Sequence, residues 1–234
     1  MGMSDNWQTH AKYWSQFYEV HAIDQRNHGK SFHSESFSYA LLAEDIVTYM
    51  DANALEKAVV LGHSMGGKIA MTLALTYPNR VSQLIVADIA PKVYDVASNF
   101  AAIMKGMLHL NRTTLTTRKE ADSLLQTYVS DIGVRMFLLK NMKWTSERTL
   151  ALKCNIEVLS KKMNEIGAAN FKGTFLGKTL FIAGETSDYI AQNDMVIIMQ
   201  YFPNASMKSV EHAGHWLHAE NPEGFTKVLH GFLG

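Results

Sequence analysis

Residues 59–68 read Val-Val-Leu-Gly-His-Ser-Met-Gly-Gly-Lys, an apolar β-branched run that passes into the pattern G-x-S-x-G. A helical pattern with Ile69, Leu73 and Ala74 on one face follows at once. This order predicts a strand, a tight turn and a helix, which is the context of a nucleophile elbow. The glycines allow the backbone to pinch so that Ser64 projects. The free N–H groups at the start of the helix would point at the same place, where an oxyanion could lie.

The composition limits the class of protein. The chain has 234 residues, of which 47% are hydrophobic, which suits one large α/β domain or a core with an inserted subdomain. It contains no apolar run long enough to span a membrane, and its first residues lack the pattern of a signal peptide. Cys154 is the single cysteine, so we expect no internal disulfide and a reducing cytoplasm.

Short apolar runs alternate with helical patterns along most of the chain. Buried strands are predicted at 18–23, 58–61, 84–87 and 179–183, with 206–210 as a weaker edge candidate. Helices are predicted at 39–53, 67–77, 190–201 and from 222 to the end. This alternation predicts an α/β fold with a mostly parallel sheet and helices on both of its faces.

The middle section, residues 92–172, breaks the alternation. It contains four helix-like patterns, at 100–110, 120–131, 133–141 and 146–166, and no convincing strand. From Pro91 to Lys178 there are fourteen Lys and Arg against seven Asp and Glu, although the whole chain has a net charge of zero. We therefore expect a core of residues 1–91 and 173–234 and an inserted helical lid over the carboxyl ends of the strands. Its positive charge fits either an anionic ligand or a solvated helical surface.

A serine nucleophile needs a histidine base and an acid that orients it. His215 is the predicted base, because it lies in a glycine-containing loop after the last strand-like run, with His212 and His218 as neighbouring rivals. Two acids remain open from the residues alone. Asp188 lies after the next-to-last strand, where the acid is usually found, although the position expected to hold it carries Ser187, and Asp88 directly follows the strand at 84–87.

Four motifs together resemble the bacterial YbfF-type esterases, which are related to the ABHD11-type hydrolases. They are Leu-Gly-His-Ser-Met-Gly-Gly-Lys at 61–68, Ala-Asp-Ile-Ala-Pro at 87–91, Asp-Gln-Arg-Asn-His-Gly-Lys-Ser at 24–31 and Gly-His-Trp-Leu-His-Ala-Glu at 214–220. The resemblance runs from about residue 6 to the C-terminus. It implies an α/β-hydrolase fold and activity on short esters and acyl-CoA thioesters.

The resemblance also implies roles for particular residues. Ser64 would be the nucleophile, His215 the base and Asp88 the acid, with Ser187 joining the histidine network. The backbone N–H of Met65 would supply one donor of the oxyanion hole. The expected partner is a small-molecule ester or acyl-CoA, and we expect no cofactor, no metal, no nucleic acid and no membrane span.

The same resemblance implies secondary structure that this chain lacks at its N-terminus. In the family, two hairpin strands and a central strand ending in His-Gly precede the Asp-Asn-Trp at residues 5–7. We therefore expect a sheet without these strands, and a second oxyanion donor that is absent or comes from Gly2 or Met3.

Other functions share parts of this pattern. Carbon–carbon bond hydrolases and a lyase of the menaquinone pathway can use the same set of Ser, Asp and His. From a different class, a binding protein with impaired catalysis would fit an incomplete oxyanion hole. Labelling of Ser64 by a fluorophosphonate would separate the enzymes from the binding protein, because it requires an activated nucleophile.

Overall fold

The computed structural model describes residues 1–234. Its six strands are β1 (Ala58–His63), β2 (Val81–Ala87), β3 (Met142–Trp144), β4 (Leu150–Leu152), β5 (Lys178–Gly184) and β6 (Ala205–Val210). Its twelve α-helices are α1 (Gln8–Trp14), α2 (Tyr39–Ala52), α3 (Met65–Thr76), α4 (Val96–Asn99), α5 (Ala101–Arg112), α6 (Arg118–Gln126), α7 (Ile132–Leu139), α8 (Ile156–Lys161), α9 (Met163–Gly167), α10 (Met195–Tyr201), α11 (Leu217–Glu220) and α12 (Pro222–Leu233). Short 3-10 helices lie at Ser4–Trp7, Pro78–Arg80 and Gln192–Asp194. None of the helices is both long enough and apolar enough to cross a membrane.

The chain divides into two compact units. The sheet unit consists of Ser38–Val93 and Ala168–Gly234, and the helical unit consists of Met1–Phe37 and Tyr94–Gly167. The sequence placed residues 1–37 with the core, whereas in the structure they cluster with the inserted helices. The function of the helical unit as a lid stays a prediction.

The sheet unit contains four parallel strands in the order β1-β2-β5-β6. The two inner strands are buried and apolar along residues 84–87 of β2 and 180–183 of β5, as expected for strands covered on both faces. The outer strands β1 and β6 are partly exposed. Helix α3 packs on β1 and β2, and α12 packs on β6 through Phe225, Leu229 and Phe232. The predicted α/β fold with a parallel sheet is confirmed.

The carboxyl ends of the four strands share one edge of this sheet. His63, Ala87 and Ile182 are aligned by the register of β1 with β2 and of β2 with β5, and Val210 lies opposite Gly184 at the end of β6. Parallel strands in register therefore bring the four loops that follow them to a common edge, where ligands bind in open α/β sheets.

Two predictions about strands are wrong. Residues 18–23 form no strand, and Tyr18 and Val20 in this segment are exposed, so its apolar side chains do not form a core face. The segment 146–166, predicted as helix, contains β4, which pairs antiparallel with β3. The hairpin closes around Thr145 and Thr149, whose hydroxyls are 2.8 Å apart, with Arg148 in the left-handed region at φ 59°.

Candidate active site

The turn between β1 and α3 holds Ser64 in a strained conformation. Ser64 has φ 54° and ψ −119°, and α3 begins at the next residue, Met65. A Cβ atom on Gly62 would clash with the carbonyl of Gly66, so the sharp turn requires glycine at this position. The N–H groups of the first turn of α3 have no acceptor within the helix. The local sequence thus places a serine hydroxyl beside a set of backbone donors.

His215 lies within hydrogen-bond distance of this serine. Its Nε2 atom is 3.1 Å from Ser64 Oγ, and its side chain is only 14% exposed, in the loop between β6 and α11. The rival His212 points elsewhere, because its side chain is 89% exposed and lies 3.7 Å from Glu185. Both ring nitrogens of His215 have a protein partner within hydrogen-bond distance.

Asp88 is the acid that the structure places beside the histidine. It directly follows β2, is fully buried, and adopts the left-handed region at φ 51°. Its Oδ2 atom accepts a hydrogen bond of 2.7 Å from His215 Nδ1. This bond fixes the tautomer that leaves Nε2 free to accept the proton of Ser64. Asp188, the other candidate, is exposed.

Two groups at the end of β5 also donate to Asp88. The hydroxyl of Ser187 donates to Oδ2 at 2.5 Å, and the backbone N–H of Gly184 donates to Oδ1 at 3.0 Å. With His215, three donors surround the buried carboxylate, so its charge is compensated by hydrogen bonds. The structure therefore brings together Ser64, Asp88, His215 and Ser187.

Tyr189 is a site residue that the sequence reasoning missed. Its ring stacks on the His215 imidazole with a centroid distance of 3.8 Å and an interplanar angle of 19°. Its N–H donates to Ser187 Oγ at 3.3 Å. Burial, with a smaller contribution from Asp88, raises the pKa of Tyr189, so the phenol stays neutral. The sequence feature that could have identified Tyr189 is its position, since it is an aromatic residue two positions after Ser187 on the same loop.

His63 also supports the histidine loop. Its Nε2–H donates to the backbone carbonyl of His215 at 2.6 Å, and its ring lies 4.7 Å from that of His215 and 4.8 Å from that of His218. Burial, together with these two histidines, holds the pKa of His63 well below its usual range. His63 is therefore neutral and keeps the donor proton that anchors the His215 backbone.

We expect the ring of Tyr189 to increase the rate of catalysis, because it restrains the imidazole of His215 and stabilises the cationic form of that imidazole. Tyr189→Leu should lower kcat by about tenfold, in keeping with a partly desolvated cation–π contact. Tyr189→Phe, which keeps the aromatic ring, is the matched control and should behave like the parent. A parental kcat for Tyr189→Leu would show that the stack has no such effect.

Comparison with known proteins gives a consistent result. The family model of the alpha/beta hydrolase fold matches residues 1–222. The chain is 36% identical over 220 residues to sn-1-specific diacylglycerol lipase ABHD11 of Danio rerio, covering 92% of this chain and 69% of that protein. It is 31% identical over 217 residues to esterase YbfF of Escherichia coli, covering 90% and 81% of the two chains.

A solved structure agrees with these relatives. The structure of a marine microorganism esterase superposes with a TM-score of 0.93 at 36% identity, covering 99% of this chain and 91% of that one. The resemblance to YbfF-type and ABHD11-type hydrolases is thereby confirmed. The chain belongs to the α/β-hydrolase family and is a hydrolase of the esterase and lipase type.

Proposed function

We propose that the chain cleaves short-chain carboxylic esters or acyl-CoA thioesters through an acyl-enzyme on Ser64. One observation carries this proposal: Ser64 Oγ, His215 Nε2, His215 Nδ1 and Asp88 Oδ2 form a continuous hydrogen-bonded chain with separations of 3.1 and 2.7 Å. This is the arrangement that converts a serine hydroxyl into a nucleophile.

In the first half of the reaction, Ser64 Oγ attacks the carbonyl carbon and its proton passes to His215 Nε2. The carbonyl oxygen becomes an oxyanion, which the N–H of Met65, the first residue of α3, would stabilise. When the tetrahedral intermediate collapses, the bond to the alcohol or thiol breaks and His215 Nε2–H protonates the leaving group. The acyl group remains on Ser64.

In the second half, His215 takes a proton from water, and the resulting hydroxide attacks the acyl carbon. The ester bond to Ser64 breaks, the carboxylic acid leaves and the serine regains its proton. Asp88 holds the Nδ1–H of His215 throughout and compensates the imidazolium charge. Ser187 acts on Asp88 and not on the substrate, since its hydroxyl donates to the carboxylate. Ser187 is therefore a positioning residue.

A fluorophosphonate tests the acyl-enzyme step directly. We expect mass spectrometry to find the adduct on Ser64 of the intact chain, and no adduct in His215→Gln, where the hydroxyl is not activated. Steady-state rates with p-nitrophenyl esters and acyl-CoAs of matched acyl length then identify the preferred leaving group. Absence of labelling would contradict the acyl-enzyme and favour a binding protein. Labelling of Ser64 without turnover of the p-nitrophenyl esters or the acyl-CoAs would contradict the proposed substrate class.

A further inference from the structure

The helical unit contains a groove between α6 and α7. The two helices pack against each other and leave a cavity of about 320 Å³, the size of the smaller ligand sites in proteins. We call it the basic groove, and its lining residues are Arg118, Lys119, Asp122, Met136, Leu139 and Lys140.

The basic groove carries positive charge that no carboxylate cancels. The guanidinium of Arg118 donates to the carbonyls of Leu139 and Met142, at 2.9 and 3.1 Å, and both acceptors are neutral. Lys119 and Lys140 are exposed and form no ion pair.

The acidic residue of the basic groove is neutralised within the protein. The carboxylate of Asp122 is held at 2.8 Å by the buried guanidinium of Arg135. A groove with three cations and one paired acid attracts anions, and it lies within the segment that holds twice as many basic as acidic residues.

Helix α7 also presents apolar side chains to solvent. Ile132 is 67% exposed and Met136 is 59% exposed, and they lie one helical turn apart with Lys140 a further turn along the same stripe. The opposite side of the helix buries Arg135, Leu138 and Leu139. Two adjacent exposed apolar side chains, on a helix face that runs from Asp131 to Lys140, favour an interaction surface.

We propose that the basic groove and the Ile132–Met136 stripe form a docking surface for an anionic lipid membrane. Ile132 and Met136 would enter the boundary between headgroups and acyl chains, while Lys119 and Lys140 would contact lipid phosphates. A membrane fits because it offers apolar and anionic surface together without requiring a fixed shape. The residues of this surface belong to the helical unit and share none with the candidate active site, so the proposal does not depend on the reaction assigned to Ser64.

Sedimentation of the intact chain with lipid vesicles tests the proposal. We expect stronger binding to vesicles of equal parts phosphatidylcholine and phosphatidylglycerol than to phosphatidylcholine alone, with the difference reduced by salt. Lys119→Gln with Lys140→Gln should weaken binding to the anionic vesicles by about 30-fold, the loss expected for two basic residues at an anionic surface. Ile132→Ser with Met136→Ser should weaken binding to both kinds of vesicle.

Matched controls come from the sheet unit. Lys208→Gln with Lys227→Gln removes the same charge, and Val196→Ser with Met199→Ser removes exposed apolar side chains from α10, so both should bind like the parent. Circular dichroism establishes that each variant is folded. Equal losses of vesicle binding in the groove variants and the control variants would overturn the proposal. Vesicle binding of the parent that does not depend on phosphatidylglycerol would overturn it as well. Calorimetric binding of monomeric decanoate that requires Lys119 and Lys140, without vesicle binding, would overturn it in favour of a small-molecule site.

Discussion

Ser64→Ala is expected to lower kcat for ester hydrolysis by about 10⁴-fold or more, because no bond can then form between enzyme and acyl group. Ser64 Oγ is the atom that faces His215 Nε2, and its backbone lies on the strained turn that projects the side chain. Alanine removes only the hydroxyl, so the turn, the helix N-terminus and the Asp88–His215 pair should remain. The measurement is the steady-state rate with a p-nitrophenyl ester, on protein freed of contaminating esterases.

The matched control is Ser206→Ala, which removes a hydroxyl from an exposed position on β6 and should leave the rate unchanged. Thermal melts of both variants should resemble that of the parent. More than a few per cent of parental activity in Ser64→Ala would exclude this serine as the nucleophile.

Asp88→Asn is expected to lower kcat by about 10⁴-fold, whereas Asp188→Asn should leave it near the parental value. An amide at residue 88 can present its NH₂ group to His215, which favours the tautomer with the proton on Nε2, and that nitrogen then cannot accept the proton of Ser64. The negative charge that compensates the imidazolium is lost as well. Asp188 is exposed, so its amide has no corresponding effect.

Comparison of kcat for the two variants, with melting temperatures measured alongside, checks this prediction. A folded Asp88→Asn protein with parental activity would remove Asp88 from the mechanism. A larger loss in Asp188→Asn would restore the usual acid position at the end of the next-to-last strand.

The sequence predicted secondary structure best for the strands that are buried on both faces of the sheet. β2 and β5 lie in the middle of the sheet and each contains a run of four buried apolar residues, and the predictions at 84–87 and 179–183 fall inside the observed strands. The strand before Ser64 and the weak candidate at 206–210 were also found, because glycine or polar turns delimit them. A strand that lies between two other strands can thus be recognised from its own apolar residues.

Short elements with mixed burial gave a weaker signal. β3 and β4 have three residues each, so one alternation of buried and exposed side chains is all that distinguishes them from a helix turn. At 18–23 the apolar run was present, but a strand also needs hydrogen bonds from a neighbouring strand, which no local pattern encodes.

The candidate site was predictable in its hydrogen-bonding residues and not in its packing. Ser64 and His215 follow from motif and chain order, and Asp88 needed the family resemblance to separate it from Asp188. Tyr189 and His63 act through a ring stack and a bond to a backbone carbonyl. Such contacts depend on how four loops meet in space, and residue spacing along the chain does not specify them.

The hydrogen bond between Ser187 and Asp88 couples substitutions at the two positions. The two residues follow adjacent strands and their side chains meet at 2.5 Å, so a carboxylate at residue 187 would lie against that of Asp88. Moving the acid to residue 187 by single substitutions must pass through a protein with two touching carboxylates, which repel, or with none, which leaves the histidine unoriented. Each change alone should therefore be harmful, and the effects of substitutions at the two positions should be strongly non-additive.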